Sequence, residues 1–235
     1  MADMLDQLSI DCLIFGFGEG QLRLLLISRE DAPAQGQWAL PGGFILRSES
    51  IDDASRRILR QLTGLQDLYL AQLRAFGAVD RYPPRRVVTL AYYALISADR
   101  HPLTSHSAKA RWFPVTELPA LPFDHEAIFQ EGMATLRRNI RHQPVGFELL
   151  PEKFTLLQLQ QLYEAILGLP LDKPNFRRKL TRMDLLIPLP EYQREVAHRA
   201  ARLYRFDKDR YDRLCEEGFV FEVAPPRRER KTPDR

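Results

Sequence analysis

Gly42-Gly43-Phe44-Ile45-Leu46-Arg47-Ser48-Glu49, followed by Ser50-Ile51-Asp52-Asp53-Ala54-Ser55-Arg56 and Arg57-Ile58-Leu59-Arg60-Gln61-Leu62-Thr63-Gly64-Leu65, is a glycine-led segment that runs into a helix. Ile51, Ala54, Ile58, Leu62 and Leu65 recur at helical spacing, so residues 50–63 form an amphipathic helix. Gly64 closes it, because a residue past the last turn takes a left-handed conformation most easily without a Cβ. A helix alone does not account for Trp38-Ala39-Leu40-Pro41 leading into the two glycines, or for Glu49 six positions after Gly43.

That frame resembles the Nudix box of the Nudix hydrolases: Gly, five residues, Glu, seven residues, Arg-Glu, an aliphatic, any residue, Glu-Glu, any residue, Gly, an aliphatic. Gly43, Glu49, Arg57, Leu59, Gly64 and Leu65 fall in place, whereas Ile58, Gln61 and Leu62 occupy the three helical glutamate positions. In the active family those glutamates share one helix face and hold Mg²⁺ against a pyrophosphate. Mg²⁺ demands oxygen ligands in octahedral geometry; Ile58 and Leu62 have none to give, and Gln61 has one neutral carbonyl. Without the metal the main stabiliser of a transferring phosphoryl group is lost. The expectation is a scaffold that binds without turnover, with no catalytic residue, metal or cofactor. The alternative is a Nudix-type pyrophosphohydrolase for ADP-ribose or a nucleotide, using an unusual carboxylate set.

The flanking chain supports a mixed architecture. Residues 8–17 and 21–28 read as two strands joined by Gly18-Glu19-Gly20, and 69–79 and 86–96 as two more, split by a Pro83-Pro84 step. A short strand at 110–115 follows, and Asp124 is placed as the N-cap of a helix from 125 to about 141. The expected fold is α+β: a Nudix-like α/β/α sandwich over 1–143, then a second domain over 144–224, with Pro144-Val145-Gly146 at the junction. The tail, 225–235, is polar and charged enough to be disordered.

The chain has 235 residues and a formal net charge of +3, but the charge is uneven. Residues 1–150 carry 16 Lys/Arg against 17 Asp/Glu, and 151–235 carry 18 against 14. Within 173–205, nine basic residues face only Asp184, Glu191 and Glu195, the footprint of a nucleic-acid surface. No apolar run reaches the ~18 residues of a membrane span, and the N-terminus has no basic leader, so a cytoplasmic protein is expected. Cys12 and Cys215 are too few and too far apart for a disulfide framework or a zinc site.

Beyond residue 150 the pattern is helix (155–167, closed by Gly168), a second helix capped by Asp172 (173–183), short strands at 185–187 and 202–206 joined by a basic loop, and a last helix at 208–217. This is the order of a winged helix-turn-helix. Lys173, Asn175, Arg177, Arg178 and Lys179 would present the second helix to the major groove, with Phe176 and Leu180 seating it. Arg194, His198 and Arg199 would lie on the wing against phosphates. Asn175-Phe176-Arg177-Arg178-Lys179-Leu180 followed by His198-Arg199-Ala200-Ala201-Arg202-Leu203-Tyr204-Arg205-Phe206 resembles the C-terminal domain of the Nudix-related transcriptional regulators. Tyr92-Tyr93-Ala94-Leu95 and Phe123-Asp124-His125 resemble the same group.

The resemblance implies an effector-responsive regulator that binds double-stranded operator DNA as a homodimer. Some members are NAD-metabolism repressors that sense ADP-ribose or related nucleotides, and others are sugar regulators. His198-Arg199-Ala200-Ala201, in place of the Gly-Arg-Pro-Ala common to nucleotide sensors, points toward the arabinose-type sugar branch. The effector pocket is expected at Arg29, Trp38, Glu49, Arg81 and Tyr93, combining aromatic walls with polar anchors. ADP-ribose is the alternative effector.

Overall fold

The computed structural model describes residues 4–65, 69–97, 109–193, 200–219 and 221. A seven-stranded mixed sheet forms the first half. Its centre is β1 (Met4–Gly18), which runs antiparallel to β2 (Gln21–Ser28) and β4 (Gly42–Leu46) and parallel to β6 (Val88–Ser97). β3 (Trp38–Ala39) and β7 (Ala110–Pro114) pair with β2, and β5 (Tyr69–Phe76) pairs with β6 at the edge.

Alternation along β1 explains why both faces of this sheet are covered. Ile10, Cys12 and Ile14 point one way, Leu13, Phe15 and Phe17 the other, and all are buried. α1 (Ile51–Thr63) covers the first face through Ala54, Ile58 and Leu59. α2 (His125–His142) covers the second through Ile128, Phe129, Met133, Leu136 and Ile140. Gly132 lets α2 come close, since a Cβ there would stand 2.2 Å from Leu13 Cδ1. The result is the expected α/β/α sandwich.

The second half shares the α2 core. A tight 3-10 turn, Pro144–Leu149, buries Val145, Gly146 and Leu149, so the segment expected as a simple junction is packed between the halves. α3 (Leu156–Leu167) opens with a reciprocal Thr155–Gln158 capping box and ends at left-handed Gly168. α4 (Lys173–Met183) begins under Asp172, and a hairpin of β8 (Leu186–Tyr192) and β9 (Arg202–Phe206) follows, then α5 (Lys208–Glu216). Helix, basic helix and two-stranded wing are therefore in the order expected.

Several boundaries differ from the sequence reading. β1 starts four residues before 8, β5 stops at Phe76, and β8 continues to Tyr192 through Pro188 and Pro190. Prolines are tolerated there because both strands of a two-stranded hairpin are edges. β3 and β4 are additional to the expected strands. Cys12 is buried, but Cys215 is exposed. No helix among the described residues is long and apolar enough to cross a membrane. The tail, 225–235, lies outside the described residues, as do Arg194, His198 and Arg199.

Candidate effector cavity and nucleic-acid interface

A cavity opens where β1, the Gly42-Gly43 strand and the start of α2 converge. Its lining includes Ser9, Asp11, Arg29, Phe44, Arg81, Tyr82, Phe123 and His125. On its floor Arg81, with a side chain only 4% exposed, meets two carboxylates. Nη2 donates to Asp11 Oδ2 at 2.9 Å and to Asp124 Oδ1 at 2.8 Å, while Nε donates to Asp124 Oδ2 at 2.9 Å. Burial alone pulls the guanidinium pKa down, but the Asp124 hydrogen bonds and the two carboxylate charges outweigh it and hold Arg81 above its ordinary range.

His125 completes the floor. Its Nδ1 accepts the Leu40 N–H at 3.1 Å, so the proton of the neutral ring sits on Nε2, which faces Asp11 Oδ1 at 3.6 Å. Burial keeps the imidazole pKa below its usual value despite the nearby carboxylates. Phe123, two residues before it, has φ +59, a left-handed conformation that costs a non-glycine residue about 1–3 kcal/mol. The Phe123 ring carries the Arg29 guanidinium at 5.1 Å, and Arg85 lies 4.7 Å from the Phe44 ring. Cations, aromatic faces and a carboxylate thus line one concave site, a combination suited to phosphate, base and hydroxyl groups.

Of the expected pocket residues, Arg29 and Arg81 line this cavity, and Trp38, Glu49 and Tyr93 do not. Trp38 packs edge-on against Phe113 at 5.0 Å. Tyr93 is buried on the α2 face, its hydroxyl accepting from Asn139 Nδ2 at 3.0 Å. Glu49 is taken up by the box itself: Arg57 Nε and Nη2 donate to its two oxygens at 2.7 and 2.6 Å, and the Leu46 N–H donates at 2.8 Å. Asp11, Asp124 and His125 are not among the expected site residues. A carboxylate at position 11, set directly between the apolar Ile10 and Cys12, is the signal for the first.

The box does not fit the divalent cation its frame implies. Ile58 is buried, Leu62 is packed into the α1 core, and Gln61 Oε1 accepts from Arg57 Nη1 at 3.0 Å. Asp52 accepts from the Tyr92 hydroxyl at 2.8 Å. Among the described residues no group of three His, Cys, Asp or Glu side chains converges on one point.

The other candidate surface is α4. Lys173, Asn175, Arg177 and Arg178 are exposed and Lys179 is half-buried, while Phe176 and Leu180 are turned into the core. Phe176 packs on Tyr163 of α3 at 5.3 Å between ring centres. Asp172 accepts the Asn175 N–H at 2.9 Å, and the Asn175 side chain in turn accepts from Arg178. The helix is therefore anchored on one face and basic on the other.

Residues 6–133 match the NUDIX domain model, and residues 146–206 match the model described as the NrtR DNA-binding winged helix domain. The chain is 33% identical to the "ADPR responsive transcriptional repressor NtrR" of Acinetobacter baylyi over 210 residues, which is 87% of this chain and 84% of that one. The chain belongs to the NrtR family of Nudix-related transcriptional regulators. Shewanella oneidensis NrtR in complex with a 27mer DNA superposes with a TM-score of 0.79 at 30% identity, covering 93% of this chain and all of that one. An ADP-ribose pyrophosphatase of Methanocaldococcus jannaschii is 30% identical over 118 residues, but that likeness covers 50% of this chain and 70% of the pyrophosphatase. Membership of the NrtR family makes the protein a DNA-binding transcriptional regulator with a Nudix-type sensor domain. It gives no support to the arabinose-type branch that Ala200-Ala201 suggested.

Proposed function

We propose that the protein is an ADP-ribose-responsive transcriptional repressor. Its winged helix (144–224) holds operator DNA through Lys173, Asn175, Arg177, Arg178 and Lys179, and its Nudix-like domain (1–143) binds ADP-ribose without hydrolysing it. The observation that carries this reading is the reach of the two likenesses. The match to an ADPR-responsive repressor runs through both halves of the chain, whereas the match to a pyrophosphatase covers half. The cavity chemistry agrees, with Arg29 and Arg81 for a diphosphate, Phe44, Tyr82 and Phe123 for a base, and Asp11 for ribose hydroxyls. Non-hydrolytic binding rests on Ile58, Gln61 and Leu62 in the metal positions and on Glu49 being held by Arg57.

The response follows from linkage: an effector that prefers the DNA-incompetent arrangement lowers operator affinity by its differential affinity for the two states. A homodimer on a palindromic operator in the cytoplasm is the matching assembly.

The test is a titration of labelled upstream DNA across salt, alone and with ADP-ribose or L-arabinose. Salt-sensitive binding weakened by ADP-ribose alone supports the reading. Release by arabinose instead restores the sugar branch. Turnover of ADP-ribose with Mg²⁺ or Mn²⁺, at a rate typical of an enzyme, returns the protein to the hydrolases.

A further inference from the structure

Among the described residues, four of the five α-helices are capped by their own N-cap side chain: Ser50 on the Asp53 N–H, Thr155 on Gln158, Asp172 on Asn175 and Asp207 on Arg210. α2 is the exception. Its N-cap is Asp124, one of the best capping residues, yet its carboxylate makes no cap hydrogen bond. Both oxygens accept instead from Nε and Nη2 of Arg81, which lines the effector cavity.

Charge makes this arrangement competitive. The single positive charge of Arg81 already faces Asp11 and Asp124, and His125 beside them is neutral. A diphosphate arriving on this floor brings more negative charge, and the cations lining it are Arg29 and Arg81. A phosphate that takes Nε or Nη2 of Arg81, the two donors the carboxylates hold, displaces a carboxylate from it. Asp11 is fixed inside β1, paired in register with Gly42 and Ala91. Asp124 sits at a helix end, where N–H groups without intrahelical partners and a positive dipole lie within one turn. Of the two, Asp124 is the one with a second set of partners waiting.

We propose that Asp124 couples effector to DNA: bound to Arg81 in the effector-free protein, it moves onto the N-terminal N–H groups of α2 when a nucleoside-diphosphate effector takes Arg81. The proposal rests on the reading that ADP-ribose occupies this cavity.

α2 then carries the change. It is 18 residues long, a rod of about 27 Å from the cavity to the second half. Near its far end Arg137 Nε donates to the Ile166 carbonyl of α3 at 3.0 Å. Ile140 and Leu162 close on the two sides of Gly146, where an added Cβ would meet them at 3.2 and 3.4 Å. α3 passes the contact to α4 through Tyr163 and Phe176. Cavity and DNA-facing helix are joined by one contiguous set of packed elements with a bistable contact at its head, as physical coupling requires.

Asp124→Asn and Asp124→Ser in the full chain test this, since both keep a capping side chain while removing the charge that holds Arg81. Three quantities are measured: operator affinity without effector, ADP-ribose affinity by calorimetry, and the melting temperature. The expected result is operator affinity lowered about fivefold or more and ADP-ribose affinity raised by a similar factor, because coupling is reciprocal. A residue that is merely structural would weaken both affinities together. That outcome, or wild-type operator affinity with a full response, overturns the proposal. If the wild-type protein takes up no ADP-ribose, the effector reading fails by itself. The effector-free operator affinity and melting temperature of the two variants still decide the role of Asp124: a drop in affinity at an unchanged melting temperature sustains it, and no change, or a drop that follows a lowered melting temperature, overturns it.

Discussion

Glu49 and Arg57 grip each other across the first turns of α1 in a two-point ion pair, Nε to Oε2 at 2.7 Å and Nη2 to Oε1 at 2.6 Å, with the Phe44 carbonyl accepting from the same Nη2 at 3.0 Å. The pair ties the glycine-led strand to the helix that follows. Glu49→Gln is expected to cost about 2 kcal/mol, the scale of hydrogen bonds to a charged partner that is then left short. Urea denaturation at neutral pH measures it.

The acid limb of stability should show two stages. Burial holds His125 below its ordinary value of 6.5, so as pH falls past 6.5 the unfolded chain takes up a proton that the folded one refuses, and stability drops. The Arg57 hydrogen bonds hold Glu49 below its ordinary 4.5, against some desolvation. Its contribution is whole above that pH and is lost as pH falls further, through the depressed folded value. His125→Asn, whose Oδ1 can still accept from Leu40, should remove the upper stage, and Glu49→Gln the lower. Denaturation midpoints measured from pH 8 to 3 separate the two.

Ile58 decides whether the box can be rearmed. Its side chain is 2% exposed and lies in the α1 core beneath Gly43. Ile58→Glu places a carboxylate where no cation waits, and burying an uncompensated charge is among the costliest single changes. The expected loss is about 3 kcal/mol or more, with no Mg²⁺-dependent hydrolysis gained. A stable variant that hydrolyses ADP-ribose would show the site to be merely disarmed.

On α4, Arg177→Ala with Arg178→Ala should weaken operator binding and flatten its logarithmic salt dependence by about two units, one for each phosphate no longer neutralised. Both side chains are exposed, so the melting temperature should hardly move. Phe176→Ala should behave in the opposite way, costing about 3–5 kcal/mol because it removes the ring that packs on Tyr163. Unaltered salt dependence in the double variant would remove α4 from the interface.

The parts of this molecule that are legible in the sequence are those fixed by local rules. Ser50 and Gly64 bracket α1, and Thr155 with Gly168 bracket α3, because caps and left-handed stops are set by neighbours a few residues away. β3 and β4 escape notice for the opposite reason. Trp38–Ala39 is too short for any alternation to show, the glycine pair at the head of β4 has little strand preference of its own, and pairing with β2 and β1 makes them strands. The cavity is half visible. Motif position places Arg29 and Arg81, but the partners of Arg81 lie 70 and 43 residues away, one in β1 and one at the head of α2, and only the tertiary fold brings them to it. Glu49 reads as a ligand from its place in the box, yet its partner eight residues on is in the same motif. Asp124 reads correctly as an N-cap position and incorrectly as a cap, since no local pattern reveals that a distant arginine claims its side chain.

Gly42 and Gly43 are neighbours with different duties, and alanine at each should separate them. At Gly42 a Cβ would stand 2.4 Å from Asp11 Oδ1 and 2.7 Å from the Ile10 carbonyl. The carbonyl belongs to β1, held in register with β4, so it cannot retreat, and the Asp11 carboxylate must leave its place beside Arg81. Gly42→Ala should cost about 1–3 kcal/mol, the usual range for an overpacked site, and should weaken ADP-ribose binding by disturbing the cavity floor. At Gly43 the nearest atoms are the Ile58 side-chain carbons at 3.5 Å, ordinary van der Waals contact. Gly43→Ala should therefore change stability by about 1 kcal/mol or less and leave ADP-ribose binding as it was. Calorimetric titration of both variants, alongside their melting curves, checks the contrast. Equal losses at the two positions would mean that the floor built on Asp11 and Arg81 is not where the effector binds.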